Sequence, residues 1–205
     1  MPVEGPLYPV NLVLRGSRCL VVGGGRVALG KVRGLLAADA GVTVVAPAVA
    51  DELAALEGVV VERRPYRAGE VAGYRLAVTA TDDPAVNHQV FADGEAAGVW
   101  VNSADDPANC SFILPAVVRR WPLMVTVGTG GHSPALATWL RRHIERELDA
   151  SFTTLLELLA ERRAAIRAAG GPTEGLSWQQ VLDGGMLDLV REGRIDEARE
   201  RLRCL

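Results

Sequence analysis

The feature that most restricts this chain is an apolar run that stops on glycine. Arg18-Cys19-Leu20-Val21-Val22 shows no polar alternation and ends at Gly23-Gly24-Gly25. A short continuous apolar run bounded by glycines predicts a strand covered on both faces. Beyond the glycines, Val27, Val32, Leu35 and Leu36 fall near helical spacing, which predicts a helix over 27–38. The pattern then repeats. Residues 42–46, 59–63, 75–79 and 99–101 read as further strands, and 49–56 and 84–97 as helices. Pro84 starts a helix where its missing N–H does no harm, and Gly98 ends it. Strands and helices alternating at this spacing predict an α/β fold: a parallel sheet with right-handed crossovers and helices on both faces. Residues 7–14 read as a short edge strand or a lead-in.

Ligands of such sheets sit outside the carboxyl ends of the strands, so the segments that follow the strands are the ones to weigh. Gly23-Gly24-Gly25-Arg26-Val27-Ala28 fits G-x-G-x-x-[GA], preceded by a strand and followed by a helix, with the next strand about 20 residues on. This is a Rossmann-like arrangement. Gly23 permits the tight turn, Gly25 lets backbone approach a pyrophosphate, and Ala28 lets the helix pack close to the sheet. The helix N-terminus then offers free N–H groups and a favourable dipole to the phosphates. The acid expected at the end of the second strand for the ribose 2′-hydroxyl is missing. Val45-Ala46-Pro47-Ala48 stands there, Asp51 and Glu52 come later, and no Arg sits there for a 2′-phosphate. The motif therefore leaves NAD and NADP open, with backbone near Pro47 and Ala48 as the seat for the adenosine ribose. Thr81 follows the fourth strand at the same edge. Asn102 to Asp106 follow the fifth, and the carboxylates Asp105 and Asp106 are placed to move a proton or hold a cation.

After Asp106 the alternation ends. Residues 111–118 and 122–127 read as two strands joined by the basic turn Arg119-Arg120-Trp121, followed by a glycine loop over 128–132. Ser133 caps a helix to about residue 148. A second helix spans 151–169 and breaks at Gly170-Gly171-Pro172, and short helices follow over 177–182, 185–191 and 195–202. The expected division is a dinucleotide-binding domain over 1–111, a small α+β dimerisation region over 112–150, and a helical C-terminal domain over 151–205. Strands without an internal partner tend to find one in another chain, so a homodimer is expected.

Composition narrows the partners. The 205 residues carry a net charge of −3, which does not favour nucleic acid or an anionic membrane. Cys19, Cys110 and Cys204 are far apart and form no CxxC pair, so neither a disulfide framework nor a zinc knuckle is expected. His88, His132 and His143 have no metal-ligand spacing, and no metal site is expected. His132, in the glycine loop, is a candidate for proton transfer. No stretch has the look of a signal peptide or a membrane span, and a cytoplasmic protein is the expected default.

Several segments occur together in one order: Gly23-Gly24-Gly25-Arg26-Val27-Ala28 with Lys31; Thr43-Val44-Val45-Ala46-Pro47; Ala80-Thr81-Asp82-Asp83 with Val86-Asn87; Val101-Asn102 with Asp105; Ser111-Phe112-Ile113-Leu114-Pro115-Ala116; and Gly130-Gly131-His132-Ser133-Pro134-Ala135-Leu136-Ala137. Over about 7–150 the chain resembles the precorrin-2 dehydrogenase family, the dehydrogenase/ferrochelatase part of sirohaem synthases. The resemblance implies NAD-dependent oxidation of precorrin-2 to sirohydrochlorin, in sirohaem or cobalamin synthesis. Some family members also insert Fe²⁺, so Fe²⁺ or Co²⁺ is a possible second substrate. It implies that Asp105, matching the family's essential aspartate, is a general base. Nucleotide contacts would fall on Arg26, Val27, Pro47 and Ala48. Thr129 stands where some members carry a phosphorylatable serine, and Gly30 stands where the family often has arginine. A polycarboxylated tetrapyrrole needs a wide basic rim. Arg119, Arg120, Arg141 and Arg142 are candidates for it, with Asn102, Thr129, His132 and Ser133 as further substrate-facing residues. The resemblance also implies a dimer. A rival of another class, a non-catalytic dinucleotide or tetrapyrrole sensor, would share the fold but would have no need of Asp105.

Overall fold

The apolar runs of the first half form β1 (Arg18–Val22), β2 (Gly41–Val45), β3 (Val59–Glu62), β4 (Leu76–Thr79) and β5 (Trp100–Ser103), with α1 (Arg26–Leu36), α2 (Asp51–Ala54) and α3 (Pro84–Ala97) between them. In the computed structural model, which describes residues 5–104 and 106–205, these strands build one sheet in the order β3-β2-β1-β4-β5. Every neighbouring pair is parallel. Val22 pairs with Val45 on one side and with Thr79 on the other, so the carboxyl ends of the central strands finish level.

The absence of alternation in β1 has a direct cause. Cys19 and Val21 pack with Val42, Val44, Leu76 and Val78 beneath Ala28, Val32 and Leu53 of α1 and α2. Leu20 and Val22 face the other way, against Ala77, Val101, Val71 and Val90. Both faces of the sheet are buried, as a parallel sheet flanked by helices requires. This is the expected Rossmann-like α/β architecture.

The boundaries moved where local chemistry overrides hydrophobic pattern. β5 runs on through Asn102 and Ser103, polar residues that a hydrophobic pattern excludes from a buried strand. Ser103 is tolerated because the Thr79 hydroxyl bonds its hydroxyl at 2.9 Å in the interior, which removes the cost of burying each alone, and Asn102 Nδ2 is satisfied by Phe112 O. α2 is shorter than expected. Residues 7–14 are an irregular lead-in in which only Leu14 is buried. The strand expected from 111 begins only at Ala116, just after Pro115, which lacks the N–H a ladder needs.

The chain divides into two compact units, one holding the chain up to Leu114 with Gly130–His132, the other holding Pro115–Thr129 and Ser133–Leu205. The second unit contains an antiparallel pair, β6 (Ala116–Arg120) and β7 (Leu123–Val127), and α4 (Pro134–Glu147) packs on both strands. The Ser133 hydroxyl accepts from Leu136 N at 3.1 Å, capping α4 as expected. The helices α5 (Ala150–Ala168), α6 (Trp178–Val181), α7 (Leu187–Arg191) and α8 (Ile195–Arg203) enclose a small core of Leu155, Leu158, Met186, Leu189, Val190, Ala198 and Leu202.

Candidate functional site

Strand order reverses between β1 and β4, and such a switch point leaves a crevice beyond the strand ends. The turn after β1 is wedged into it. Gly23 adopts φ +126°, and a Cβ there would lie 2.3 Å from the Ala80 carbonyl oxygen. A Cβ on Gly24 would lie 2.0 Å from the Ala48 carbonyl oxygen. Gly23 N donates to Val45 O at 3.0 Å and Ala50 N donates to Gly24 O at 2.9 Å, so the turn is stitched to the end of β2 and the segment beyond it. Gly25 differs from both: nothing lies within 4 Å of its Cβ position. It is the N-cap of α1, whose first turn has no side-chain cap and no acidic residue. The N–H groups of that turn have no intrahelical acceptor, so they are available to an anion.

A cleft of about 920 Å³ opens here, lined by Val22 to Val27, Val45 to Ala48, Ala80 to Asp83, and parts of the segments that follow β3 and begin α3. Its volume falls within the usual range for small-molecule and cofactor sites, about 300–1,000 Å³. Gly23, Gly24, Gly25, Arg26, Val27, Pro47, Ala48 and Thr81, the residues singled out from the sequence, all line it. Val27 is 49% exposed and gives the mouth an apolar surface. Thr81 forms the lip after β4. Its hydroxyl donates to Asn87 Oδ1 at 2.8 Å, and Asn87 Nδ2 donates to Thr81 O at 3.1 Å. Asp83 caps α3 through Ala85 N at 2.9 Å, so the acids of the Thr-Asp-Asp segment are in part structural.

Sequence reasoning missed the outer wall. Pro65, Tyr66 and Ala68, from the segment after β3, and Gln89 of α3 also line the cleft. Asp93 holds this wall together. Tyr66 Oη donates to Asp93 Oδ2 at 2.8 Å, Gly69 N donates to the same oxygen at 2.7 Å, and Gln89 Nε2 donates to Oδ1 at 2.7 Å. Burial raises the Asp93 pKa, but the three donors outweigh it and hold the carboxyl below its ordinary value. Burial first, and then Asp93, push the Tyr66 phenol well above its usual range. Arg64 braces the same segment by pairing with Glu62 and, at 2.6 Å, with Glu70. No hydrophobic period signals these contacts; the only cue was a tyrosine and a run of arginines after a strand. Because the folded pKa of Asp93 is depressed, its stabilising contribution is present above the unfolded value, near pH 4, and is lost as pH falls through the folded one. Asp93→Asn should therefore melt below the parent protein at neutral pH, and the gap should close below about pH 4. Thermal melts across pH test this, and a gap independent of pH would contradict it.

The strand-end segment after β5 is a separate feature. Asp105 lies outside the described residues. Asn102 does not line the cleft; it is buried, and its Nδ2 donates to Phe112 O at 2.9 Å. Asn102 Oδ1 is buried without a partner among the described residues. Ser103 N donates to Cys110 Sγ at 3.2 Å, and Asn109 Nδ2 donates to Asp106 Oδ2 at 2.6 Å. Burial pushes the Cys110 thiol up, against the lowering effect of the Ser103 N–H, which favours a neutral packing thiol.

The remaining substrate candidates lie largely in the other unit. Arg119 and Arg120 are exposed on β6, and Arg120 Nε donates to Leu148 O at 3.2 Å. The Thr129 hydroxyl accepts from Ser133 N at 3.2 Å, closing the glycine loop onto the start of α4. His132 is exposed in the Gly130–His132 segment that clusters with the sheet unit. Arg141 pairs with Glu145 at 2.6 Å, within α4. Among the described residues no group of at least 3 His, Cys, Asp or Glu side chains could hold a metal ion, and no helix is long and apolar enough to cross a membrane.

Comparison with known proteins agrees with this geometry. Residues 10–116 match a family model described as "Putative NAD(P)-binding". A siroheme synthase of Chromobacterium violaceum is 44% identical over 199 residues, covering 95% of this chain and 42% of that protein. A siroheme synthase of Methylococcus capsulatus is 40% identical over 195 residues, covering 93% of this chain and 41% of that protein. The chain thus spans about two fifths of the length of the curated relatives it matches. Among solved structures, SirC, a precorrin-2 dehydrogenase, superposes with a TM-score of 0.72 at 28% identity, covering 96% of this chain and 98% of that one. The likeness read from the motif segments is thereby matched in both sequence and fold. With its glycine turn, its switch-point cleft and a family match across the whole sheet unit, the chain belongs to this NAD(P)-binding family.

Proposed function

We propose that this protein is an NAD-dependent dehydrogenase that oxidises precorrin-2 to sirohydrochlorin, within sirohaem or cobalamin synthesis. The observation that carries this reading is the cleft at the β1–β4 switch point, with an open Gly25 and an uncapped α1, in a chain like SirC from end to end. The residues fit a dinucleotide. The pyrophosphate would rest on the first turn of α1, where Gly25 leaves the space a side chain would fill. Pro47 and Ala48 would flank the adenosine ribose, and Thr81 would edge the nicotinamide half. When bound, NAD⁺ supplies the hydride acceptor.

The chain's own residues supply the rest. Asp105 would take the proton released as precorrin-2 loses a hydride, the role a strand-end carboxylate can fill. Asn102 would hold the segment that carries it. Arg119 and Arg120 would offer guanidinium forks to the substrate's carboxylates, and Thr129, His132 and Ser133 would contribute hydrogen bonds. Fe²⁺ or Co²⁺ insertion into sirohydrochlorin is the natural second step for such a site, with the ion as substrate. A homodimer belongs to the same reading, because β6 and β7 form a sheet of 2 strands with no further partner strand among the described residues.

Anaerobic incubation of the purified protein with NAD⁺ and precorrin-2 tests the proposal. NADH and sirohydrochlorin should appear together, and light scattering on the same sample should give a dimer. Binding of both ligands without turnover would favour the sensor instead, and a monomer would contradict the dimer.

A further inference from the structure

In the sheet order β3-β2-β1-β4-β5, a ligand that runs from Gly25 past Pro47 and Ala48 next meets the segment after β3. Pro65, Tyr66 and Ala68 of that segment line the cleft, and Val86 and Gln89 of α3 line it too. Tyr66 and Val86 also pack on the core cluster that holds Leu20, Val71 and Val90. This end of the cleft is therefore backed by the core and largely apolar, and it suits a flat heterocycle with a polar edge.

One polar group of this wall has its orientation imposed on it. Gln89 Nε2 donates to Asp93 Oδ1 at 2.7 Å, one turn further along α3. An ionised carboxylate can only accept, so the amide must turn its NH₂ to Asp93 and its carbonyl oxygen away. Asp93 is itself fixed by Tyr66 Oη at 2.8 Å and by Gly69 N at 2.7 Å. Gln89 Oε1 accepts no hydrogen bond among the described residues, and the residue is exposed. The wall thus offers an aromatic ring and a hydrogen-bond acceptor held in one sense. Among purines, adenine carries a donor at position 6, whereas a 6-oxo purine carries an acceptor there.

We infer that this wall seats the adenine ring, that Gln89 Oε1 accepts from its 6-amino group, and that Asp93 is the positioning residue that holds the amide in that sense. This rests on the proposal that the cleft binds a nicotinamide dinucleotide. Tyr66 supplies a surface on which any purine stacks, because every base has a π-face. Gln89 supplies the selection: a 6-oxo purine sets oxygen against oxygen and forms no bond with it.

Isothermal titration of the full chain with NAD⁺ and with nicotinamide hypoxanthine dinucleotide, which differs from it in the purine alone, tests this. The parent protein should prefer NAD⁺ by about tenfold. Gln89→Leu should bring NAD⁺ down to the level of the analogue and leave the analogue within about threefold, so that the preference disappears. Gln89 is exposed and outside the core, so this variant should keep its melting temperature. Asp93→Ala should also reduce the preference to about threefold or less, because the freed amide can offer its NH₂ or its oxygen to either base. Tyr66→Leu should weaken both dinucleotides by about tenfold and keep the preference, since stacking does not read the base edge. Equal binding of the two dinucleotides by the parent protein, or equal weakening of both in Gln89→Leu, would overturn the inference and leave the dehydrogenase standing. A full preference in Asp93→Ala would overturn the positioning role. Failure of both dinucleotides to bind the parent protein would overturn the cofactor reading itself.

Discussion

Asp105→Ala should lower precorrin-2 oxidation by about 10²- to 10⁴-fold, the usual contribution of a positioned proton acceptor, with NAD⁺ affinity unchanged. Two adjacent carboxylates follow β5 in the sequence, and Asp106 already has a structural task. Asp106 is engaged: its Oδ2 accepts from Asn109 Nδ2 at 2.6 Å, and its carbonyl accepts from Cys110 Sγ at 3.3 Å. It acts as a strut. The segment on the other side is fixed as firmly, through Asn102 Nδ2 on Phe112 O and Ser103 N on Cys110 Sγ. Asp106→Ala should therefore cost stability more than rate, with turnover within about tenfold of the parent enzyme. Steady-state kinetics of both variants, with NAD⁺ binding measured separately, check this. An active Asp105→Ala enzyme, or an equal loss in Asp106→Ala, would remove Asp105 from the proposed role.

The second large effect separates three consecutive glycines. Gly25→Ala should fold normally and lose most of its dinucleotide affinity, because the added methyl group meets no protein atom within 4 Å and enters the space assigned to the pyrophosphate. Gly24→Ala should damage the fold itself. Its Cβ would lie 2.0 Å from Ala48 O and 2.8 Å from Val49 Cα, backbone atoms that cannot rotate away, and overpacking of this kind costs about 1–3 kcal/mol or more. Gly23→Ala meets both a backbone clash with Ala80 and an unfavourable φ of +126°. Denaturant melts and NAD⁺ titrations of the three variants should show binding lost without stability lost at Gly25 alone. Normal NAD⁺ binding by Gly25→Ala would contradict the placement of the phosphates.

The contrast among these glycines shows what a sequence does and does not carry. The motif announced a turn at a sheet edge, and the five strands followed from apolar runs because a parallel sheet buries both faces. It assigned the tight turn to Gly23, which adopts φ +126°, and the close approach of a phosphate to Gly25, whose Cβ position is open. The part played by Gly24, clearance for the segment after β2, depends on a contact 24 residues away and has no local signature. The same holds for the outer wall. Tyr66, Gln89 and Asp93 meet only because α3 crosses the segment after β3. β5 was cut short in the sequence because Asn102 and Ser103 are polar, and their burial becomes affordable only through Thr79 and Phe112, which pattern alone does not connect to them.

The most direct test of the central claim is the stoichiometry of a single anaerobic turnover with limiting precorrin-2 and excess NAD⁺. The account predicts NADH and sirohydrochlorin in equal amounts, each matching the precorrin-2 consumed, and neither product when NAD⁺ is left out. Sirohydrochlorin formed without matching NADH, or bound precorrin-2 recovered unchanged, would contradict it.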